Sequence, residues 1–272
     1  MDVPYVNRPG FDQQMNVIDI YAPPSGRNLP VLIYVHGGGW TGGDHDPIGV
    51  KSPYFTGRGL VVVSVNYRLG PAVRPAAQAA DLAAAVVWVK NRIAFFGGDG
   101  SRLFLMGHSA GAHLSALIAS DETYLRDVGL APAAIRGVIL LDSAAYDVEQ
   151  LMRSPDAQSE MFRIAFGTDP AAWRAVSPRA HVAPGKGTPP HLLVLATATG
   201  QRRPAAEGLA ASLHSAGVYA QIADATAFRD HISIDTEIGR PGDAPTAAIQ
   251  RFLDMLLAGA PAGLGGREVL QP

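Results

Sequence analysis

The amino-acid sequence predicts an α/β protein, a mostly parallel sheet covered by helices on both faces. Three observations carry that reading. Short β-branched apolar runs alternate along the chain with long Ala-rich amphipathic runs, the pattern of strands joined by crossover helices. Residues 30–36 (PVLIYVH) and 60–66 (LVVVSVN) are continuous apolar runs closed by Gly or turn residues, as strands buried on both faces are. Of the 272 residues, 47% are hydrophobic and only 17% charged, which excludes a disordered chain and supplies a sizeable core.

In chain order, residues 15–22 (MNVIDIYA) alternate apolar and polar side chains and predict a half-exposed strand. The two buried strands at 30–36 and 60–66 follow. Residues 76–93 predict a helix, because Leu82, Val86 and Val89 recur at i, i+4 and i+7. A strand at 102–106 (RLFLM), a helix over about 110–120 and a strand at 136–141 (RGVILL) come next. A strand at 190–196 (PHLLVLA), a helix at about 204–216, a short strand at 218–223 and a last helix at 245–258 complete the order. The stretch 142–189 has no strand signal and carries Pro155, Pro170, Pro178, Pro184 and Pro189. It predicts loops and short helices over one sheet edge: a lid-like insertion at about 143–189 within a single domain spanning 1–272. The Gly- and Pro-rich tail 259–272 predicts poor order.

The net charge of −2 argues against nucleic acid as a partner, since phosphate binding needs a basic surface. With no cysteine, a disulfide, a thiol nucleophile and a Cys-based metal site are all excluded. The first ten residues (MDVPYVNRPG) have neither a basic nor an apolar leader region. No stretch approaches the ~18 continuous apolar residues of a membrane span. A cytoplasmic protein that does not enter the membrane is therefore expected.

Two glycine motifs carry chemistry. Gly107-His108-Ser109-Ala110-Gly111 matches G-x-S-x-G directly after a strand and directly before a helix. A sharp strand-to-helix turn there lifts the serine off the sheet, with glycines where packing is tight. The helix start aims free N–H groups and its positive dipole end at a reacting oxygen. Elsewhere in a chain such a segment would be only a Gly/Ser-rich turn; its place between strand and helix favours a nucleophile. His36-Gly37-Gly38-Gly39-Trp40 also follows a buried strand, and its glycines let backbone N–H groups converge. The plainer reading is a flexible Gly loop or one cradling a phosphate; no G-K-[ST] follows, so a P-loop is excluded. The N–H groups of Gly38, Gly39 and Ala110 are the candidate oxyanion donors, each worth roughly 3–4 kcal/mol in an acyl-transfer transition state. Trp40 is expected to pack beside the pocket.

HGGGW and GHSAGAH, with VSVNYRL at 63–69 and FFGGDGSRL at 95–103, resemble the α/β-hydrolase superfamily over about residues 15–258. The nearest branches are similar to hormone-sensitive-lipase-like carboxylesterases and to arylformamidases (kynurenine formamidases). The resemblance implies a mixed sheet of about eight strands, serine hydrolysis and no cofactor or metal. Lipase-like members carry a long N-terminal cap, whereas only 35 residues precede His36 here. A more open pocket is expected.

The resemblance places the general base in a loop after the last strand. Of the eight histidines, His231 alone has that position. His36 is expected to brace the oxyanion loop, and His108 and His113 to be structural. The family's acid normally follows the strand before the helix at 204–216, but the turn Ala196–Arg203 holds no carboxylate. Asp142 is the leading replacement. It ends the strand at 136–141, neighbouring strands lie ~4.8 Å apart, and Ser109, Asp142, His231 keep the superfamily's order of nucleophile, acid and base. An Asp directly after a strand is otherwise often a cap or loop hydrogen-bonder. Asp147, Asp224 and a dyad lacking any acid remain open alternatives, while Asp230 is too close in sequence to meet His231 Nδ1.

The function expected is a serine carboxylesterase cleaving short-chain esters through an acyl-enzyme on Ser109. An arylformamidase acting on N-formylkynurenine-type formamides is one alternative, and a catalytically impaired hydrolase-like binding protein is another. The expected partner is a small-molecule ester or amide, with a homodimer as an open possibility. Arg68 and Asp81 are expected to form a structural ion pair, and Gly97–Gly100 a turn. Met152, Met161, Phe162, Ile164 and Phe166 suit either an acyl pocket or a small satellite core. Arg202 and Arg203 are expected to be merely solvated.

Overall fold

The computed structural model describes residues 2–6, 12, 14–155, 159–259 and 263–272. Nine strands form one sheet: β1 (Val3–Pro4), β2 (Val17–Tyr21), β3 (Leu29–Val35), β4 (Val61–Val65), β5 (Gly98–His108), β6 (Ile135–Leu141), β7 (His191–Leu195), β8 (Ala220–Asp224) and β9 (Arg267–Val269). Their spatial order is β1-β2-β4-β3-β5-β6-β7-β8-β9. The β1–β2 and β2–β4 pairs are antiparallel and every later pair is parallel. The helices are α1 (Lys51–Gly57), α2 (Pro75–Arg92), α3 (Ala110–Ser120), α4 (Glu122–Asp127), α5 (Val148–Met152), α6 (Glu160–Phe166), α7 (Pro170–Ala175), α8 (Pro178–His181), α9 (Arg202–Ser215), α10 (Ser233–Thr236) and α11 (Ala244–Ala258). Among the described residues no helix is long and apolar enough to cross a membrane.

The continuous apolar runs divide between two cores because successive strand residues point to opposite faces. Val31, Ile33 and Val35 pack with α2, α3 and α9 on one face, while Leu32 and Tyr34 pack with α1 and α11 on the other. The same alternation holds in β5, where Leu103 and Leu105 oppose Phe104 and Met106.

Three expectations need correction. The sheet has nine strands rather than about eight, because short strands are added at both edges. The tail does not lack order where it is described. Residues 267–269 pair in parallel with β8, and Arg267 is drawn there by the Asp224 carboxylate; residues 260–262 of that stretch lie outside the described residues. The elbow strand is longer than 102–106, so Gly98–Gly100 belong to β5 rather than to a turn, and Gly98 pairs with Leu29. Arg68 and Asp81 form the expected ion pair at 2.7 Å, with the carboxylate fully buried.

Parallel register sets the ends of the central strands side by side. Gly107 faces Leu140 and His108 faces Leu141, while Leu141 in turn faces Val194. Ser109 and Asp142 are thus the first residues past two adjacent strands, and Ser109 N–H donates to Leu141 O at 2.8 Å. The strand-to-helix turn at Ser109 is possible only with glycine on both sides. A Cβ on Gly107 would lie 2.3 Å from Gly111 O, and one on Gly111 would lie 2.2 Å from Val35 O. Both obstacles are backbone and cannot swing away. Gly107→Ala should therefore destabilise the protein by about 3 kcal/mol, read as a lower urea midpoint; an unchanged midpoint would show that the elbow has slack.

Candidate active site

The turn between β5 and α3 holds Ser109 at φ 53 and ψ −113, a conformation that costs a non-glycine residue energy. Among the described residues only four non-glycine residues have positive φ, and Trp40, Ser109 and Asp142 are three of them. Strain is thus concentrated at one end of the sheet.

Ser109 Oγ lies 3.0 Å from His231 Nε2, and His231 Nδ1–H donates to Asp142 Oδ2 at 2.8 Å. The structure therefore brings together the three residues singled out from the sequence. Asp142 is buried, and its carboxylate is densely bonded. Oδ1 accepts the N–H groups of Ala196 and Thr197, both at 2.9 Å, and Oδ2 accepts the Thr197 hydroxyl at 2.7 Å. Burial pushes this carboxyl up, but the bonds from His231, Thr197 and the two amides outweigh burial and hold it below the ordinary carboxylate range. Thr197 stands in the turn where the acid was missing, so that turn supplies donors to the carboxylate of the neighbouring strand. The signal was the empty position itself, filled by a hydroxyl.

The other carboxylates considered are engaged elsewhere. Asp147 caps α5 through Gln150 N–H and pairs with Arg179 at 3.2 Å. Asp224 accepts Thr226 N–H and pairs with Arg203 at 3.0 Å. Asp230 accepts the N–H groups of Ile232 and Ser233 within its own loop. Arg203 is thereby an ion-pair partner rather than merely solvated. Arg202 also departs from that expectation: its Nε lies 3.2 Å from Asp142 Oδ2, and its side chain lines the site.

The oxyanion loop is braced by its own histidine. His36 stacks on Tyr67 at 4.4 Å, with Nε2 3.0 Å from Asn66 Oδ1, and Tyr67 donates to His36 O at 3.0 Å. Gly38 has φ 114, and a Cβ there would lie 2.0 Å from Gly42 O. Among the described residues the N–H groups of Gly38 and Gly39 have no acceptor, and Ala110 opens α3, where an N–H has no partner within the helix. All three candidate oxyanion donors are therefore free to meet a ligand. Trp40 is buried beside this loop and donates to His113 Nδ1 at 3.1 Å; His113 Nε2–H donates to Val176 O at 2.7 Å.

Sequence reasoning missed the support behind His231. His108 Nε2–H donates to His231 O at 2.8 Å, and the two rings lie 4.7 Å apart. Burial pushes His108 down in pKa, against the raising influence of Asp235. Asp235 sits on α10, four residues after His231, and ties that loop to the sheet. Its Oδ1 accepts from Tyr34 Oη at 2.7 Å and pairs with the buried Lys51 at 3.0 Å.

These groups open into a cavity of about 340 Å³ lined by Ser109, His231, His108, Arg202, Gly38 and Gly39 together with Trp40, Ser143, Ala144, Met161, Phe162 and Ile232. Helix α6 supplies Met161 and Phe162 to its wall, whereas Phe166 packs under Trp40 at 4.6 Å as core. A Cβ on Gly39 would lie 2.4 Å from Met161 Sδ, so α6 packs directly over the oxyanion loop. Elsewhere, among the described residues, Asp2, Asp19 and His45 bring ligand-type atoms within 4.8 Å of one another, but His45 is already bonded to Asp44 and Asp2.

The BD-FAE family model matches residues 18–198. Carboxylesterase NlhH of Mycobacterium tuberculosis is 42% identical over 128 residues, covering 45% of this chain and 39% of its own length. Kynurenine formamidase of Danio rerio is 33% identical over 153 residues, 56% of this chain and 48% of its own. The matched stretch thus spans less than half of each of these relatives. The crystal structure of esterase B from Lactobacillus rhamnosis superposes with a TM-score of 0.75 at 22% identity, covering 94% of this chain and 84% of that one. The fold is that of the α/β-hydrolases.

Two outcomes follow from the buried groups. Lys51→Met leaves Asp235 without its cation and should cost about 3 kcal/mol in denaturant unfolding; a loss below about 1 kcal/mol would show that the pair is dispensable. Burial pushes His113 down to about 4, below the ~6.5 of an unfolded chain. The unfolded state therefore takes the proton first, and stability falls as pH drops from about 6.5 toward 4, by about 3 kcal/mol for this group. Gln keeps a donor and an acceptor but does not titrate, so His113→Gln should flatten that part of the stability–pH curve; a curve parallel to the parent's would remove His113 as its cause.

Proposed function

The chain belongs to the BD-FAE family, and from that premise we propose that it is a serine carboxylesterase of short-chain esters. The observation that carries the reading is the continuous hydrogen-bonded chain from Ser109 through His231 to Asp142, facing a cavity beside three N–H groups that have no acceptor among the described residues.

The chemistry follows from these positions. His231 Nε2 takes the Ser109 proton as Oγ attacks the ester carbonyl carbon. The carbonyl oxygen gains negative charge and meets the N–H groups of Gly38, Gly39 and Ala110, whose geometry is set before substrate arrives. Asp142 keeps the proton of His231 on Nδ1 and stabilises the imidazolium. Nε2 then returns its proton to the leaving alcohol as the C–O bond breaks, leaving an acyl group on Ser109. Water, deprotonated by the same nitrogen, attacks the acyl carbon and restores the serine. Every proton moved is held by a side chain of this protein, so the mechanism as written calls for no cofactor. The mainly apolar wall of Trp40, Ala144, Met161, Phe162 and Ile232 suits a short acyl chain. A cytoplasmic setting is part of this reading.

A second reading, formamide hydrolysis, is favoured by the kynurenine formamidase relative. The same nucleophile, base and oxyanion donors would serve it, with an amine as leaving group.

In a test with 4-nitrophenyl butyrate, Ser109→Ala should abolish turnover. Asp142→Asn should lower kcat by about 10³–10⁴-fold while the melting transition is retained. A fluorophosphonate should label Ser109. Rapid loss of N-formylkynurenine with weak ester turnover would select the formamidase reading. Absence of labelling at Ser109 would leave a hydrolase-like binding protein and end the enzymatic reading.

A further inference from the structure

Arg202 opens α9, at the end of the turn where an acid is missing, and it lines the cavity that Ser109 and His231 face. Its side chain is 27% exposed. Among the described residues lining that cavity, no other side chain carries a permanent charge. Among the described residues its one ion-pair partner is Asp142, yet that carboxylate has no free bonding position: four donors from Ala196, Thr197 and His231 already occupy it. The Arg202 Nε lies near Oδ2 without the alignment of a hydrogen bond, and it is a buried donor with no hydrogen-bond partner among the described residues. That nitrogen is closed to solvent, so a ligand would meet the remainder of the part-exposed guanidinium, whose planar fork is matched to a carboxylate.

We propose that Arg202 is a specificity-determining residue whose guanidinium receives a carboxylate of the substrate. The proposal rests on the hydrolase reading above and narrows it to esters or formamides that carry a carboxylate. A carboxylate fits the planar fork, and its single charge is repelled less by the neighbouring Asp142 than the double charge of a phosphate would be. The His231 ring stands between the two ends of the arrangement, with Asp142 and Arg202 at its Nδ1 side and Ser109 at its Nε2 side.

The test uses matched pairs of substrates. 4-Nitrophenyl hydrogen glutarate against 4-nitrophenyl butyrate places the charge on the acyl side; 4-acetoxybenzoate against phenyl acetate places it on the leaving side. One pair should show a preference in kcat/KM for the charged member, and Arg202→Met should reduce that preference about tenfold, through KM. Arg202→Lys should restore part of it. If Arg202 only braces Asp142, Arg202→Met lowers kcat for both members alike and the ratio stays fixed, which overturns the proposal. A binding arm separates this failure from failure of the hydrolase reading: calorimetry of monoethyl glutarate with Ser109→Ala, with and without Arg202→Met. Binding weakened about tenfold by Arg202→Met supports the carboxylate site even if no ester is turned over. Equal binding in the two proteins, with an unmoved ratio, removes it.

Discussion

The carboxylate of Asp142 is the point on which the site depends. It is the first residue past β6, and its positive φ turns the side chain across the ends of the neighbouring strands. There it gathers the turn after β7 through Ala196 and Thr197 and the loop after β8 through His231. Three segments that are distant in sequence are thereby fixed by one buried charge. Such a charge is tolerated only because its lone pairs are met by donors. Parallel pairing makes the arrangement possible, since the ends of adjacent strands stand about 4.8 Å apart. A carboxylate on one strand end can thus serve a partner that would otherwise be served from the next.

What was legible in the sequence follows the range of each constraint. Ser109 and the oxyanion glycines could be read directly, because their geometry is a steric matter settled within five residues. His231 needed only chain order and the resemblance. Asp142 needed an absence, the turn without a carboxylate, and then an argument about strand neighbours. Arg202 and the Lys51–Asp235 pair were out of reach for a physical reason: their partners lie across the fold, and nothing in a local pattern encodes a contact between residues 51 and 235. The described part of the tail misled by composition. Its glycines suggest no order, but an open strand edge with backbone groups to satisfy, and an Asp224 ready for Arg267, overrode that propensity.

The strained backbone and the buried polar pairs belong to one design. Positive φ at Trp40, Ser109 and Asp142 holds an indole, a hydroxyl and a carboxylate away from the directions that their elements would give them. Such conformations persist only where the surroundings over-determine them. Here the surroundings are the close backbone contacts at Gly107 and Gly111, the Trp40–His113–Val176 chain and the clamp of Asp235 on Tyr34 and Lys51. The imidazole is held from behind by His108 and in front by Asp142, so little reorganisation remains for the moment of reaction.

The outermost strands are only two and three residues long, with Pro4 in one and the charged Arg267 and Glu268 in the other. An exposed sheet margin invites other chains to add themselves, and brevity, proline and charge each discourage this. Self-association by continuing the sheet from one molecule into the next is thus disfavoured at both margins.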